Sequence, residues 1–513
     1  MAAEGLTCGH PEIAPEDWQR MPPHGQQVIL HVLERVVVLE QEVSRLRAEN
    51  ERLREQTGRS ARNSSQPPSG DAPSTPPRRR REPSDKARGG QLGHTGQQRK
   101  LYPVEQCRTV TDHRPRECGA CGTALLGDDR QPYRYQVVEL PEVHPLVDEH
   151  RVHQVQCPAC GETTRAELPA AVAAGGYGPR LVATVGLLSG PYRQSERQTQ
   201  QALEDCYQVE VALGTINQLR QEVSQAVAEP VAEAAEFAQA QEVAHVDETG
   251  WVQGKGDGAN PQRRKAWLWV LGTTWVTVFQ SHLSRGQTAA KELLGKVAGY
   301  LVTDRWSGYS WWPLERRQLC WAHLLREFQK IAERGGTSQP IGEGLLAQAR
   351  HLFKLWHRVR DGTLSRAAFA AAVVEIRAAV QHWLAEGAAY RTARGEQSAR
   401  ARTARPCRGL LKVENAFRLF VRVAGLEPTN NTAERALRPA VIWRRTSLGT
   451  QSTGGSEFVA RRLTVVLTLR AQQRHVLGYL TTACEAARQG SPAPTLLPAR
   501  SLLAQEPHFA IAA

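Results

Sequence analysis

The sequence has no apolar run approaching the roughly 18 residues that a membrane-spanning helix needs. Its first residues, MAAEGLTCGHPEIAPEDW, lack the basic and apolar regions of an export signal. Cysteine is scarce, ten in 513 residues, which excludes a disulfide-built scaffold. Acidic residues are in deficit: 52 Asp+Glu against 65 Lys+Arg leave a formal charge of +13. The expectation is a soluble cytoplasmic protein with a polyanionic partner and no membrane contact. The chain is too long for one core, so about two to four domains are expected.

What is present begins with a heptad pattern. Ile29, Val36, Val43 and Asn50 recur at one seam position, and Val32, Leu39, Leu46 and Leu53 at the other. β-Branched residues at the first position, Leu at the second and a single Asn favour two parallel strands. The flanking pairs Arg35–Glu40, Glu42–Arg47 and Glu49–Arg54 are attractive across such a dimer. Residues 26–56 are therefore expected to form a coiled-coil (leucine zipper) dimerisation helix. A basic Pro/Arg-rich linker follows (57–105). Between 57 and 100 it holds ten Lys/Arg against three Asp/Glu, with Arg78, Arg79, Arg80 and Arg81 in a row. It is suited to sequence-independent phosphate contact.

Residues 106–170 carry Cys118-Gly-Ala-Cys121 and Cys157-Pro-Ala-Cys160. Two thiolates per turn and two turns complete a closed tetrahedral Zn²⁺ site, so a zinc-ribbon-like module with a structural ion is expected. Strand-like sequence, YRYQVVEL and HRVHQVQC, lies between the pairs. Residues 171–236 read as helical, with a possible helix-turn-helix that turns Thr215, Asn217, Gln218 and Arg220 toward DNA. An ordinary helical hairpin fits the same spacing.

From residue 237 the pattern becomes mixed α/β, up to about 470, and 471–513 form a C-terminal element. VAHVDETGW (243–251) and LVTDRWSGY (301–309) each end an apolar β-prone run on a carboxylate, Asp247 and Asp304. The order of three strands, a helix, a strand, a helix and a strand resembles a ribonuclease-H-like core, in which the first and fourth strands lie side by side. Two such acids repel each other unless a divalent metal sits between them, and Mg²⁺ or Mn²⁺ chemistry asks for a third. Glu434 is the candidate, with Arg435, Arg438, Arg444 and Arg445 around it as phosphate contacts. Glu414 and Glu457 are weaker candidates. Glu434 could equally sit in a capping box led by Asn431.

With RNSSQPPSGD (62–71), GGQLGHTGQ (89–97), CWAHLLREF (320–328) and NNTAERALRP (430–439), the chain resembles a transposase of the bacterial insertion sequence 66 family nearly end to end. His94, in the basic linker, is where the match is least regular. The resemblance implies a DDE transposase in which Asp247, Asp304 and Glu434 bind the magnesium ions, with a helical insertion at about 335–410. It implies metal-dependent cleavage of DNA at transposon ends and strand transfer into target DNA. The implied partners are terminal repeats, target DNA, a second copy through the zipper and small accessory proteins of the same element, with use at the bacterial nucleoid. Cys320 and His323 resemble a secondary C-x-x-H motif of several DDE families. Two alternatives use the same residues: a catalytically silent transposon-derived DNA-binding protein, and a ribonuclease-H-like nuclease without strand transfer.

Overall fold

The computed structural model describes residues 15–60, 62–64, 99–127, 129, 131–169, 172 and 175–503. Chain contacts divide it into two units. One comprises Met1–Thr75, Asp148–Asp205 and Glu210–Ala513, and the other Pro76–Val147 and Cys206–Val209. The division falls inside the stretch expected to form one zinc module. Most of the linker, including Arg78 to Arg81, lies outside the described residues.

In the larger unit, α1 (Pro15–Arg20) leads into α2 (Pro23–Thr57), the helix of the heptads. Both seams face outward along it: Val36 is 43% exposed and Leu39 51%. Its last turn is anchored. Glu55 meets Arg334 at 3.3 Å, Lys330 at 3.6 Å and also Arg402. A short antiparallel pair, β1 (Gln154–Gln156) and β2 (Thr163–Arg165), follows. Helices α3 (Pro179–Ser189), α4 (Glu196–Tyr207), α5 (Leu213–Gln225) and α6 (Ala228–Gln239) then lead to the sheet.

The sheet is built from β3 (Val243–Trp251), β4 (Ala266–Gly272), β5 (Thr277–His282), β6 (Tyr300–Thr303) and β7 (Arg317–Leu319), with α7 (Gln287–Leu294) before β6. The strand order is β5-β4-β3-β6-β7. β3, β4 and β5 are antiparallel, whereas β6 and β7 run parallel to β3. Val243, Ala244 and His245 pair with Tyr300, Leu301 and Val302. The first strand runs four residues past its expected end at Asp247, because Asp247 through Trp251 continue to pair with β4.

Edge strand β5 is covered by a helix. Thr464 and Thr468, one turn apart on α14 (Thr453–Ala471), put hydroxyls where a sixth strand would pair. They accept from the N–H groups of Phe279 at 2.8 Å and Thr277 at 3.1 Å. A buried edge must have its backbone donors satisfied, and this device also removes a template for aggregation.

Beyond β7 come α8 (Trp321–Glu333), α9 (Ser338–Arg360), α10 (Arg366–Ala388), α11 (Ala399–Lys412) and α12 (Leu419–Arg422). These helices share a core with Val302 and Leu319 of the sheet, built around Trp321, Phe328, Trp356 and Phe420. Helix α13 (Asn431–Thr446) then crosses β3 and β4, and α15 (Val476–Gln489) packs on α3. No helix among the described residues is long and apolar enough to cross a membrane.

In the smaller unit, YRYQVVEL (133–140) forms no strand, and Tyr133, Tyr135 and Leu140 are more than 80% exposed. Alternation makes a strand only where a partner supplies hydrogen bonds and a core covers one face.

Candidate active site

Asp247 sits within β3 and Asp304 follows β6 directly, so the pairing of those strands sets both carboxyls at one part of the sheet. Burial holds the Asp247 carboxyl well above the usual carboxylate range, and the charges of Glu248, Asp304 and Glu434 push the same way. Burial also raises Asp304, against the pull of the Trp306 N–H, Arg285, Arg317 and Arg305. The Trp306 N–H donates to Asp304 Oδ1 at 2.9 Å.

Glu248, the neighbour of Asp247, has a different environment. Its Oε1 takes the Arg285 Nε–H at 2.8 Å and its Oε2 the Tyr309 hydroxyl at 2.6 Å. Burial raises Glu248, and these two partners oppose the shift. The Arg285 guanidinium lies over the rings of Trp267 and Trp306, each 4.8 Å from its centroid. The loop after Asp304 is held from below by buried Arg317. It donates to Thr303 Oγ1 and to the carbonyls of Asp304 and Tyr309, each at 2.9 Å. Gly308 is required here, since a Cβ would lie 1.7 Å from the Trp306 ring.

Glu434 stands in the first turn of α13. The N-cap residue is Asn430, not Asn431, and it makes no side-chain cap bond. The capping-box reading therefore fails: Glu434 is four residues past the cap and its N–H closes the first helical bond to the Asn430 carbonyl. The Asn430 side chain is used elsewhere. Its Nδ2 donates to the Val246 carbonyl at 2.8 Å and its Oδ1 meets His245 Nδ1 at 3.2 Å. His245 is thus a buried, neutral structural group, its pKa driven down to about 4, chiefly by burial. Asn430 couples the start of α13 to the strand bearing Asp247. The other acids lie apart: Glu414 is paired with Arg418 and Arg377, and Glu457 with Arg461.

Of the four arginines, Arg435, Arg438 and Arg445 are exposed. Arg444 is structural, because it donates to the Gly250 carbonyl at 2.7 Å and to Thr249 Oγ1 at 2.9 Å. Arg220 is likewise engaged, paired with Glu196 at 2.5 Å and lying over the Phe458 ring, whereas Asn217 and Gln218 are exposed. Trp443 and Trp312 are core residues, and Trp443 packs edge-on against Trp251.

Each CxxC pair, taken by itself, closes the same turn. The Cys118 N–H bonds the Thr123 carbonyl and the Gly122 N–H bonds the Cys118 carbonyl, both at 2.9 Å. Cys157 N–H to Glu162 O (2.7 Å) and Gly161 N–H to Cys157 O (2.9 Å) repeat it. Gly122 and Gly161 adopt φ of 72° and 74°, the left-handed conformation that glycine permits. Such a turn points both sulfurs to one side.

Sequence reasoning missed Arg285, Arg317 and the role of Asn430. Tyr309 and Gly308 stood in the TDRWSGY stretch, but nothing local marked Glu248 as the partner of Tyr309.

Residues 20–100 match the model of a family of unknown function, DUF6444. An uncharacterized protein, y4qI, of Sinorhizobium fredii is 28% identical over 252 residues, which is 45% of this chain and 45% of that protein. The chain therefore spans less than half the length of that relative. Residues 177–458, which contain the whole sheet and all three candidate acids, match the model of the transposase IS66 family. The chain belongs to the transposase IS66 family.

Proposed function

We propose that the chain is a DDE-type DNA transposase that cleaves DNA at transposon ends and joins them to target DNA. The observation that carries this reading is the placement of Asp247 on β3 and Asp304 directly after the adjacent β6, with the charge of Glu434 acting on the first. The strand order supports a ribonuclease-H-like core. Hard carboxylate oxygens, with the charges of Asp304 and Glu434 raising the proton affinity of Asp247, are suited to Mg²⁺ or Mn²⁺. Asp247, Asp304 and Glu434 would hold the metal, which when bound supplies charge stabilisation to the attacking and leaving oxygens of a phosphodiester.

The surrounding residues fix those ligands. Arg317 and the Trp306 N–H set the Asp304 loop, Asn430 sets α13 against β3, and Arg285 with Tyr309 neutralises Glu248. Exposed Arg435, Arg438 and Arg445 offer cations to DNA phosphates. The outward seam of α2 is suited to a parallel dimer that holds two transposon ends together. A structural Zn²⁺ at Cys118, Cys121, Cys157 and Cys160 is supported by their spacing and by the turn each pair forms.

The test is incubation of wild type, Asp247→Asn, Asp304→Asn and Glu434→Gln with Mg²⁺ and labelled DNA carrying the element's terminal repeat and a target plasmid, with its accessory proteins present. Wild type should nick at the repeat boundary and join the end to target. Each variant should lose more than about 100-fold, the upper range for residues that merely support metal ligands. Cutting without joining would make the chain a nuclease. Binding without cutting would make it a silent DNA-binding protein.

A further inference from the structure

Helix α8 begins at Cys320, its N-cap, and His323 lies one turn in. Helix α13 brings Glu434 to the same place from 111 residues beyond His323 in the chain. One ligand atom from each of Cys320, His323 and Glu434 lies within 4.8 Å of the others. His323 Nδ1 and Glu434 Oε1 are 3.9 Å apart, too far for a hydrogen bond. Both atoms are buried and have no hydrogen-bond partner. Buried polar atoms normally find partners, so two orphans facing each other call for a third body between them.

The donors define that body. The Cys320 sulfur accepts the Asn430 N–H at 3.2 Å, and the N–H groups of Ala322 and His323 favour its thiolate too. Against this, burial pushes the metal-free thiol up to about 11. A metal ion removes that proton outright. The buried His323 Nδ1 has no hydrogen-bond partner, so this imidazole nitrogen is free to ligate. One thiolate, one imidazole and one carboxylate match a borderline ion such as Zn²⁺, whereas Mg²⁺ avoids sulfur. Zn²⁺ bonds of about 2.0–2.3 Å place tetrahedral ligands about 3.5 Å apart, a contraction within reach of side-chain rotation.

We infer that Cys320, His323 and Glu434 form a Zn²⁺ site separate from the CxxC turns, with one coordination position open. Glu434 is then shared. One carboxylate oxygen faces the ion on α8 and the other remains for the Asp247 side, so the ion orients the third candidate acid. The inference stands without the cleavage reading: a chain that holds Zn²⁺ here and never cuts DNA leaves it intact.

The experiment is a metal count on the full chain, without DNA. Wild type, Cys320→Ser, His323→Ala, Glu434→Gln and Cys118→Ser are saturated with Zn²⁺, desalted and assayed for zinc per chain. Each is then exchanged with Co²⁺ to read the thiolate-to-metal absorption band. Cys320→Ser and His323→Ala should each lose one equivalent relative to wild type, with unchanged circular dichroism. The loss should be independent of whatever Cys118→Ser loses. Glu434→Gln, whose side chain is 34% exposed and which should fold normally, should bind that equivalent at least about 10-fold more weakly. Zinc content and Co²⁺ band equal to wild type in folded His323→Ala, or unchanged affinity in Glu434→Gln, would overturn the assignment. A fall seen only in Cys118→Ser would do the same.

Discussion

At the scale of single residues, Asp247 and Glu248 are adjacent acids with opposite situations. Asp247 has carboxylates for neighbours and Glu248 has Arg285 and Tyr309. Because the folded protein raises the proton affinity of Asp247, that carboxyl's contribution to stability is present below its unfolded pKa. It is lost as pH rises through the raised folded value. Metal-free Asp247→Asn should therefore melt above wild type near neutral pH, and the gap should close on acidification toward about pH 4. Mg²⁺ should raise the melting temperature of wild type more than that of the variant. Thermal melts with EDTA and with Mg²⁺ across pH check both, and a variant that melts lower at neutral pH without metal contradicts the first. Glu248→Gln should cost about 1–3 kcal/mol. That is less than the about 3–5 of a fully buried pair, because Arg285 keeps access to water. Denaturant titration with an unchanged slope is the readout.

At the scale of elements, α2 is legible from sequence because a heptad pattern needs only local spacing to be recognised. Its apolar seams lie outward, and its last turn is tied down by Glu55. If the proposed zipper pairs two copies, wild type should be a dimer and Leu39→Lys with Leu46→Lys a monomer in light scattering at micromolar concentration, with helix content of the rest preserved. A dimer that survives both lysines places the contact elsewhere. Residues 133–140 show the limit of the same reasoning: the sequence is strand-like, but among the described residues no strand pairs with it. The two candidate helices of a helix-turn-helix exist as α4 and α5, yet Arg220, expected to face DNA, is spent on Glu196 and Phe458. A long cation on a helix face looks the same in sequence whether it meets solvent, phosphate or a buried ring.

At the scale of the whole molecule, the basic excess of +13 is a long-range property. DNA affinity should fall steeply with salt, as expected where Lys/Arg release counterions from phosphates. Arg438→Ala and Arg445→Ala should each reduce the log–log salt slope by about 1. Arg444→Ala should instead lower stability with little change in slope, since its guanidinium is bonded to β3. Fluorescence anisotropy against ionic strength, with thermal melts in parallel, separates the two behaviours. Equal slopes for all three variants and wild type would remove these arginines from the DNA surface.

The sequence by itself determined what short-range patterns encode: the long heptad helix, the two CxxC turns, the alternation of strands and helices, and acids at the ends of two apolar runs. Those depend on periodicity and on neighbours a few positions apart. Only the tertiary structure decided which acid is neutralised and which is not, because the partners of Glu248 lie 37 and 61 residues away. It also decided that the Asn430 side chain serves β3 and not its own helix, and that Arg444 belongs to the fold. The meeting of Cys320 and His323 with Glu434 is of the same kind. A chain folded into a sheet with an inserted helical layer brings together groups whose separation in sequence carries no sign of their contact.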